Sequence, residues 1–217
     1  MEFQIAIARS QWDSLLLPFQ VDINISHKVF FDLFTAYSSP TRFYHNLAHI
    51  LQVLETIDLM RSLSENLVAI QFAAWFHDVI YDPKAKDNEE KSAEYAADKL
   101  KILGINPEII DPVIRLILTT KKHQPPANDI DSRILLDADL SILGATTAEY
   151  RNYAKAIKRE YAWLSEREYV LGRKQVLENF LKRERIYHTP QMFAALESKA
   201  RHNIQEEIES LTEVNLN

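Results

Sequence analysis

The chain has no cysteine and only three glycines among its 217 residues. The absence of cysteine excludes disulfides, thiolate metal ligands and cysteine nucleophiles, and it fits a reducing compartment, so we expect a cytoplasmic protein. All-β and doubly wound α/β folds use glycine heavily at turns and in phosphate-binding loops. The shortage of glycine therefore favours helices joined by short connections rich in proline, asparagine, aspartate and serine.

The chain also lacks an apolar segment of membrane length and an excess of positive charge. Its longest apolar stretch, Leu67–Phe76, is interrupted by Gln71 and is about half as long as a membrane span. The first ten residues have neither the basic region nor the long apolar region of a signal peptide. A net charge of −6 argues against a surface that binds polyanions. We expect neither a membrane nor a nucleic-acid partner, whereas a nucleotide substrate stays open because a metal can supply local positive charge.

Helix-start signals are frequent along the chain, and apolar residues between them recur at spacings of three and four. Two dipeptides place a capping residue before a proline, and three segments have the form of a capping box. The dipeptides are Asn106-Pro107 and Thr189-Pro190, and the capping-box segments begin at Asp87, Thr146 and Ser165. The predicted helices are 9–17, 26–38, 46–61, 64–78, 88–103, 107–121, 132–143, 146–164, 166–183 and 190–212. No segment alternates as a strand does, so we predict an all-α fold: a single compact helical bundle over residues 1–217 with about ten helices.

Residues of the types that bind metals form three groups in order along the chain. His45 and His49 are four apart, which places them on one face of a helix that runs through both. His77-Asp78 ends the apolar stretch, where a carboxylate is costly to bury unless it is paired or metal-bound. The third group, two carboxylates inside a predicted core helix, is Asp137 and Asp139. Each group alone also fits a half-buried histidine, a helix cap or an arginine pair, but together they favour a borderline divalent metal.

The order His49, His77-Asp78 and Asp139 resembles the HD superfamily of helical metal-dependent phosphohydrolases. Asp139-Leu140-Ser141 is similar to the segment that supplies the last carboxylate in those enzymes, which favours Asp139 over Asp137. Tyr44-His45-Asn46-x-x-His49 also resembles the opening motif of cyclic nucleotide phosphodiesterases, in which the first histidine protonates the leaving group and the second binds metal. The resemblance implies His45 as the catalytic acid, with His49, His77, Asp78 and Asp139 as metal ligands.

A wider pattern is similar to a bacterial family of uncharacterised, predicted HD phosphohydrolases and covers nearly the whole chain. Its marks here are Arg42-x-Tyr44-His45-Asn46, Phe76-His77-Asp78-Val79-Ile80-Tyr81-Asp82-Pro83, Asn88-Glu89-x-x-Ser92-Ala93 and Glu197-x-x-x-Arg201-x-Asn203. The resemblance implies one HD-type domain and a divalent metal, but it names no substrate.

From these motifs we expect hydrolysis of a phosphate ester or anhydride in a nucleotide or another small phosphorylated metabolite. One or two divalent ions (Mn, Mg, Fe, Co, Ni or Zn) would activate water, and Asp78 or Asp139 would orient it.

Four further residues are candidates for contacts to the substrate or to a second ion. Arg42 can approach a phosphate with two parallel hydrogen bonds. His123 is a candidate ligand or phosphate contact, and Asp82 and Glu89 can hold a second ion. Their ordinary alternatives are a loop histidine, a turn carboxylate before Pro83 and an acid in the first turn of a helix. Four residues near the C-terminus are candidates for lining the substrate cleft: Arg185, Tyr187, Glu197 and Arg201. The alternative for Glu197 and Arg201 is an ordinary i,i+4 ion pair.

Three other functions remain open at the level of sequence. A di-iron HD-type oxygenase would use His123 with Asp82 or Glu89 as added ligands. A non-catalytic binding module would retain the metal, and a helical scaffold would have none. A homo-oligomer also stays open.

Overall fold

The computed structural model describes residues 2–214, and within that range it contains ten α-helices and no strand. This confirms the predicted all-α fold. The helices are α1 Glu2–Leu16, α2 Ile23–Tyr37, α3 Leu47–Leu59, α4 Leu67–Phe76, α5 Asn88–Ile102, α6 Pro107–Thr120, α7 Ile130–Asp139, α8 Thr147–Glu160, α9 Glu166–Leu181 and α10 Pro190–Val214. Short 3-10 helices occupy Leu17–Phe19, Arg61–Leu63 and Leu140–Gly144. No helix of the described residues is long and apolar enough to cross a membrane.

The chain divides into two compact units, residues 1–138 and 139–217, and the division falls at the last residue of α7. Packing in the first unit is densest where α6 contacts α4 and α5. In the second unit, α10 packs on the 3-10 segment Leu140–Gly144 and on α9. The single domain expected over 1–217 stays a prediction.

The sequence signals place most helix starts correctly. Both Thr146 and Ser165 form complete capping boxes with the glutamate three residues later, and Asn106 accepts a hydrogen bond from the Glu108 amide. The box expected at Asp87 is wrong, because its side chain makes no capping hydrogen bond. Asp87 pairs instead with Lys91 at 2.9 Å, and Glu90 pairs with Lys121.

Two predicted helix boundaries differ from the structure for identifiable reasons. Helix α1 begins at Glu2, seven residues earlier than predicted, because the exposed Phe3 and Ile7 hide its amphipathic pattern. Helix α7 ends at Asp139, where the backbone tightens into the 3-10 segment. Asp139 therefore lies at a helix end and not in a helix interior.

Helix α4 lies in the core of the first unit. Nine of its ten residues are apolar, and a helix that is apolar on all sides must be buried. Seven of its ten residues are buried, and Trp75 packs edge-to-face against Trp12 with ring centroids 5.6 Å apart. Helices α3, α5 and α6 all pack against it. Because α4 is surrounded in this way, the residues at its C-terminal end are held at a fixed place in the unit.

The second unit is held together by buried polar contacts as well as by apolar packing. Arg173 on α9 forms an ion pair with Glu207 on α10 at 2.8 Å, and Tyr150 on α8 donates to the same carboxylate at 2.6 Å. Glu197 accepts from the amides of Ile186 and Tyr187.

The predicted ion pair between Glu197 and Arg201 is present at 2.8 Å. Arg201 also donates to the carbonyls of Leu181, Arg183 and Glu184. The Tyr187 hydroxyl donates to the Leu140 carbonyl, and the Arg185 guanidinium lies over the Phe193 ring.

Candidate metal centre

The segment that carries His45 and His49 changes from loop to helix between the two residues. Asn46 caps α3 by accepting from the Ala48 amide at 2.9 Å, so the helix begins at Leu47. His49 is then in the first turn and only 3% exposed, whereas His45 precedes the cap and is half-buried. The two histidines do not share one helical face as the spacing suggested, although their ring centroids are 5.9 Å apart.

His77 is the C-cap of α4, and its own ring helps to terminate the helix. A helix leaves its last four carbonyls without intrahelical partners. The Ala73 carbonyl accepts from the His77 amide, and the Ala74 carbonyl accepts from His77 Nδ1 at 2.9 Å. The Trp75 carbonyl accepts from the Tyr37 hydroxyl, and the Phe76 carbonyl accepts from the Val79 amide. The end of α4 is therefore fully hydrogen-bonded.

The bond to Ala74 also selects the tautomer of His77. A carbonyl oxygen only accepts, so Nδ1 must carry the proton and Nε2 presents its lone pair. Metal-binding histidines commonly use the second nitrogen in this way, which fixes the ring and makes the ligand more basic. His77 is 2% exposed, so Nε2 points into a space that is largely closed to solvent.

The ligand atoms converge at the end of α4. His49 Nε2 lies 3.4 Å from His77 Nε2, and Asp78 Oδ2 lies 3.2 Å from His77 Nε2 and 3.7 Å from His49 Nε2. Two ligand atoms about 2.1 Å from one ion, at about 90–110° to each other, are about 3.0–3.4 Å apart. The separation of the two nitrogens fits two neighbouring ligands of one ion.

Asp139 joins the histidines at the end of α7. His49, His77 and Asp139 each offer a ligand atom, and these atoms all lie within 4.8 Å of one another. This spacing suits the ligands of one metal ion. The two histidines are buried and Asp139 is half-buried. Asp139 belongs to the continuous helix α7, so its place beside the histidines follows from that helix.

Asp131, at the other end of α7, connects that helix to α4. This buried carboxylate accepts from the amides of Glu65 and Asn66 at 2.9 and 3.0 Å, immediately before α4 begins. The two helices thus start together, run in the same direction and end at the histidine–aspartate cluster. Helix C-termini carry a partial negative charge, so both ends favour a cation there.

The residue types and the geometry fit a borderline divalent ion. His49, His77 and Asp139 offer two imidazoles and one carboxylate, and the Asp78 carboxylate lies against both histidines. A set of this kind is overall negative and can hold a dication. The same negative charge affects Tyr37: burial and, second, the Asp78 carboxylate hold the pKa of Tyr37 well above its ordinary value. The hydroxyl therefore stays protonated as the donor to Trp75.

His45 lies beside this cluster with its ring stacked on Tyr81. The ring centroids are 4.3 Å apart and the planes differ by 28°. The Tyr44 ring packs edge-on against the His45 ring, with centroids 5.1 Å apart. Two aromatic neighbours therefore restrict the orientation of the imidazole for which the resemblance implies an acid role.

Arg42 is placed against backbone and not toward open space. Its Nη1 donates to the carbonyls of Asp78 and His45, and its Nη2 donates to the Val79 carbonyl at 2.8 Å. The guanidinium also lies over the rings of Tyr37 and Tyr81. The guanidinium thus contacts three backbone carbonyls, and the phosphate contact expected of Arg42 stays a prediction.

The other three candidates are not members of the three-residue ligand group. Asp82 is exposed, and its Oδ1 accepts from the Lys84 amide at 2.9 Å, as a turn carboxylate does. Glu89 is half-buried in the first turn of α5. His123 is half-buried in the turn after α6 with a left-handed φ of 46°. Their roles toward substrate or a second ion stay predictions.

Two residues that shape the site received no role from the sequence. Tyr81 lies within the motif that runs from Phe76 to Pro83, but its stacking on His45 depends on the turn after α4. Asp131 carried no signal in the sequence, since an aspartate near a helix start is common. A buried carboxylate that accepts two amides from a segment 65 residues away is visible only in the fold.

Comparisons of the sequence with models of known protein families and with curated proteins found no match.

Proposed function

We propose that the protein is a metal-dependent phosphohydrolase that acts on a phosphate ester or anhydride of a small metabolite. The observation that carries this proposal is the cluster of His49, His77 and Asp139 ligand atoms within 4.8 Å, with the Asp78 carboxylate against both histidines. The resemblance of the sequence motifs to the HD superfamily supports the same chemistry. HD-type enzymes carry their metal on this order of histidine and aspartate residues.

In this proposal His49, His77, Asp78 and Asp139 hold the ion. A divalent ion, when bound, supplies Lewis acidity that activates water and neutralises charge on phosphoryl oxygens. The Ala74 carbonyl keeps His77 in the tautomer that leaves Nε2 as a ligand. Asp78, one-fifth exposed at its side chain, accepts a hydrogen bond from the attacking water and so orients it.

His45 is the proton donor in this proposal. It is half-buried and close to the cluster, but it is not part of the ligand group. As an imidazolium it donates a proton to the departing oxygen, which contributes about 10²–10⁴-fold to the rate. Tyr81 and Tyr44 hold the ring in one orientation while it does so.

The test is phosphate release by metal-stripped protein reloaded separately with Mn²⁺, Mg²⁺, Co²⁺, Ni²⁺ and Fe²⁺. The substrates are a panel of nucleotides, sugar phosphates, p-nitrophenyl phosphate and bis-p-nitrophenyl phosphate. His77→Ala removes a ligand, and His202→Ala is the matched control because His202 is an exposed histidine paired with Glu206.

The proposal expects metal-dependent release by the wild type and by His202→Ala, and none by His77→Ala. Release that His77→Ala retains in full would contradict it. Silence across the panel despite stoichiometric metal binding would also contradict it and would favour a binding module. Two irons per chain with oxygen consumption would favour the oxygenase.

A further inference from the structure

Arg42 connects the loop that carries His45 with the segment that carries Asp78. Its guanidinium donates to the His45 carbonyl at 3.2 Å and to the carbonyls of Asp78 and Val79. Arg42 and Asp78 are 36 positions apart in the sequence, so this side chain joins two segments that are distant along the chain. One side chain therefore sets the distance between the two backbone segments.

Tyr81 adds a second connection between the same segments. Its ring stacks on His45, with centroids 4.3 Å apart, and the Arg42 guanidinium lies 5.5 Å from the centre of that ring. Tyr37 provides a further aromatic contact for the guanidinium at 5.2 Å. A planar guanidinium both stacks on aromatic rings and offers donors in a rigid fork, which an ammonium group does not.

Other hydrogen bonds attach the segment after α4 to α5. Ser92 on α5 donates to the Ile80 carbonyl and accepts from the Ile80 amide. The Asp82 amide donates to Asn88, and the Asn88 amide group donates back to the Asp82 carbonyl. These bonds attach residues 80–82 to α5, whereas the bonds from Arg42 attach Asp78 and Val79 to the His45 loop.

We infer that Arg42 and Tyr81 are positioning residues that hold the His45 imidazole and the Asp78 carboxylate in their working relation. The inference rests on the proposed function for the catalytic roles of His45 and Asp78. Arg42 acts on Asp78 through the backbone, so it sets metal affinity and turnover together. Tyr81 acts on the His45 ring, so it sets turnover alone.

The test compares Arg42→Lys with Tyr81→Leu and Tyr81→Phe. The readouts are the Kd for Co²⁺, followed by its visible absorption, and kcat and KM for bis-p-nitrophenyl phosphate or whichever panel substrate is turned over. Arg201→Lys is the matched control because Arg201 also donates to three backbone carbonyls, within the second unit. It reports the effect of losing a guanidinium clamp on folding alone.

Residues that orient metal ligands typically change affinity or activity by about 10–100-fold. We expect Arg42→Lys to raise the Co²⁺ Kd and to lower kcat within that range, with KM changed by less than about twofold. Tyr81→Leu lowers kcat and leaves the Co²⁺ Kd unchanged, and Tyr81→Phe restores kcat because the stacked ring remains. Arg201→Lys changes neither readout.

Several results would overturn the inference. A rise in KM with kcat and the Co²⁺ Kd unchanged in Arg42→Lys would make Arg42 a substrate contact. Equal kcat in Tyr81→Leu and Tyr81→Phe, or wild-type Co²⁺ affinity in Arg42→Lys, would also refute it. If the wild type turns over nothing, the proposed function fails, and the Co²⁺ Kd of Arg42→Lys still decides whether Arg42 positions Asp78. Should Arg42→Lys not fold, the two Tyr81 variants decide the question.

Discussion

Single residues in this protein combine structural and chemical roles at the end of α4. His77 caps the helix with its Nδ1 and faces His49 with its Nε2. Arg42 closes the following turn, and Tyr81 within that turn stacks on His45. The backbone that His77 terminates therefore fixes its ring in the orientation that the proposed metal ligand needs.

His45→Asn separates proton donation from metal binding. The variant removes the imidazole but leaves the ligand group of His49, His77 and Asp139 intact. We expect kcat to fall by about 10²–10⁴-fold while Co²⁺ binds with wild-type affinity. Steady-state kinetics and a Co²⁺ titration check this. Full turnover in His45→Asn would remove His45 from the mechanism.

The buried ion pair of Arg173 and Glu207 should contribute strongly to the stability of the second unit. Their side chains are only 8% and 10% exposed, so Glu207→Gln leaves a buried guanidinium without its counter-charge. We expect this change to lower the free energy of unfolding by about 3–5 kcal/mol.

The neighbouring Glu206 is the matched control. It pairs with Arg151 at 3.6 Å, and the two side chains are 41% and 68% exposed. Glu206→Gln should change the free energy of unfolding by less than about 1 kcal/mol. Urea unfolding measures both variants, and equal losses would contradict the assignment of a buried pair.

At the scale of whole elements, helix caps contribute to stability. Thr146 caps α8 and forms a capping box with Glu149, whereas Asp87 precedes α5 without capping it. Thr146→Ala should lower the free energy of unfolding by about 1 kcal/mol. Asp87→Ala should have a smaller effect, since it removes only an exposed ion pair. Chemical denaturation of both variants checks the difference.

The Thr146 cap also makes stability depend on pH in a defined direction. The side chain and then the backbone amide of Thr146 hold the pKa of Glu149 below its ordinary value of 4.5. A depressed pKa in the folded state stabilises the protein at pH values above 4.5, and this stabilisation is lost as the pH falls through the lowered pKa. Thr146→Ala should therefore show less acid-induced loss of stability below pH 4.5 than the wild type.

Asp131 links the starts of α4 and α7, whose ends carry His77 and Asp139. Asp131→Ala leaves two backbone amides without their acceptor, which costs about 1–3 kcal/mol of stability. We also expect weaker Co²⁺ binding, because the ends of the two helices lose their fixed relation. Asp98→Ala, on the exposed face of α5, is the control. Unchanged Co²⁺ affinity in a folded Asp131→Ala would contradict this linkage.

The sequence predicted elements better than it predicted contacts. All ten predicted helices overlap helices of the structure, since caps and apolar spacing are local signals. Only the resemblance to a family pattern selected the four proposed metal ligands, which are His49, His77, Asp78 and Asp139. Periodicity alone left Asp137 and Asp139 equivalent, and the resemblance of Asp139-Leu140-Ser141 favoured Asp139. In the structure Asp139 is the carboxylate that lies with the two histidines, at the end of α7. The contacts of Arg42 and Tyr81 could not be predicted from the sequence, because the turn after α4 brings together residues that are far apart along the chain.

At the scale of the whole molecule, we expect metal binding to be coupled to folding, because the proposed ligand atoms come from three helices. His49 lies on α3, His77 ends α4 and Asp139 ends α7, so the unfolded chain does not present them together. An ion that binds only the folded state stabilises it by about 2.7 kcal/mol at a hundred times its Kd. Thermal unfolding with and without Co²⁺ should therefore show a higher Tm with the ion, and this difference should disappear in His77→Ala.

Equilibrium dialysis of the metal-stripped protein against Co²⁺ is a direct test of the proposed metal centre, with His77→Ala and His202→Ala dialysed in parallel. We predict at least one tightly bound ion per chain in the wild type and in His202→Ala, and a loss of tight binding in His77→Ala. Equal Co²⁺ binding by His77→Ala and the wild type would contradict the proposed metal centre.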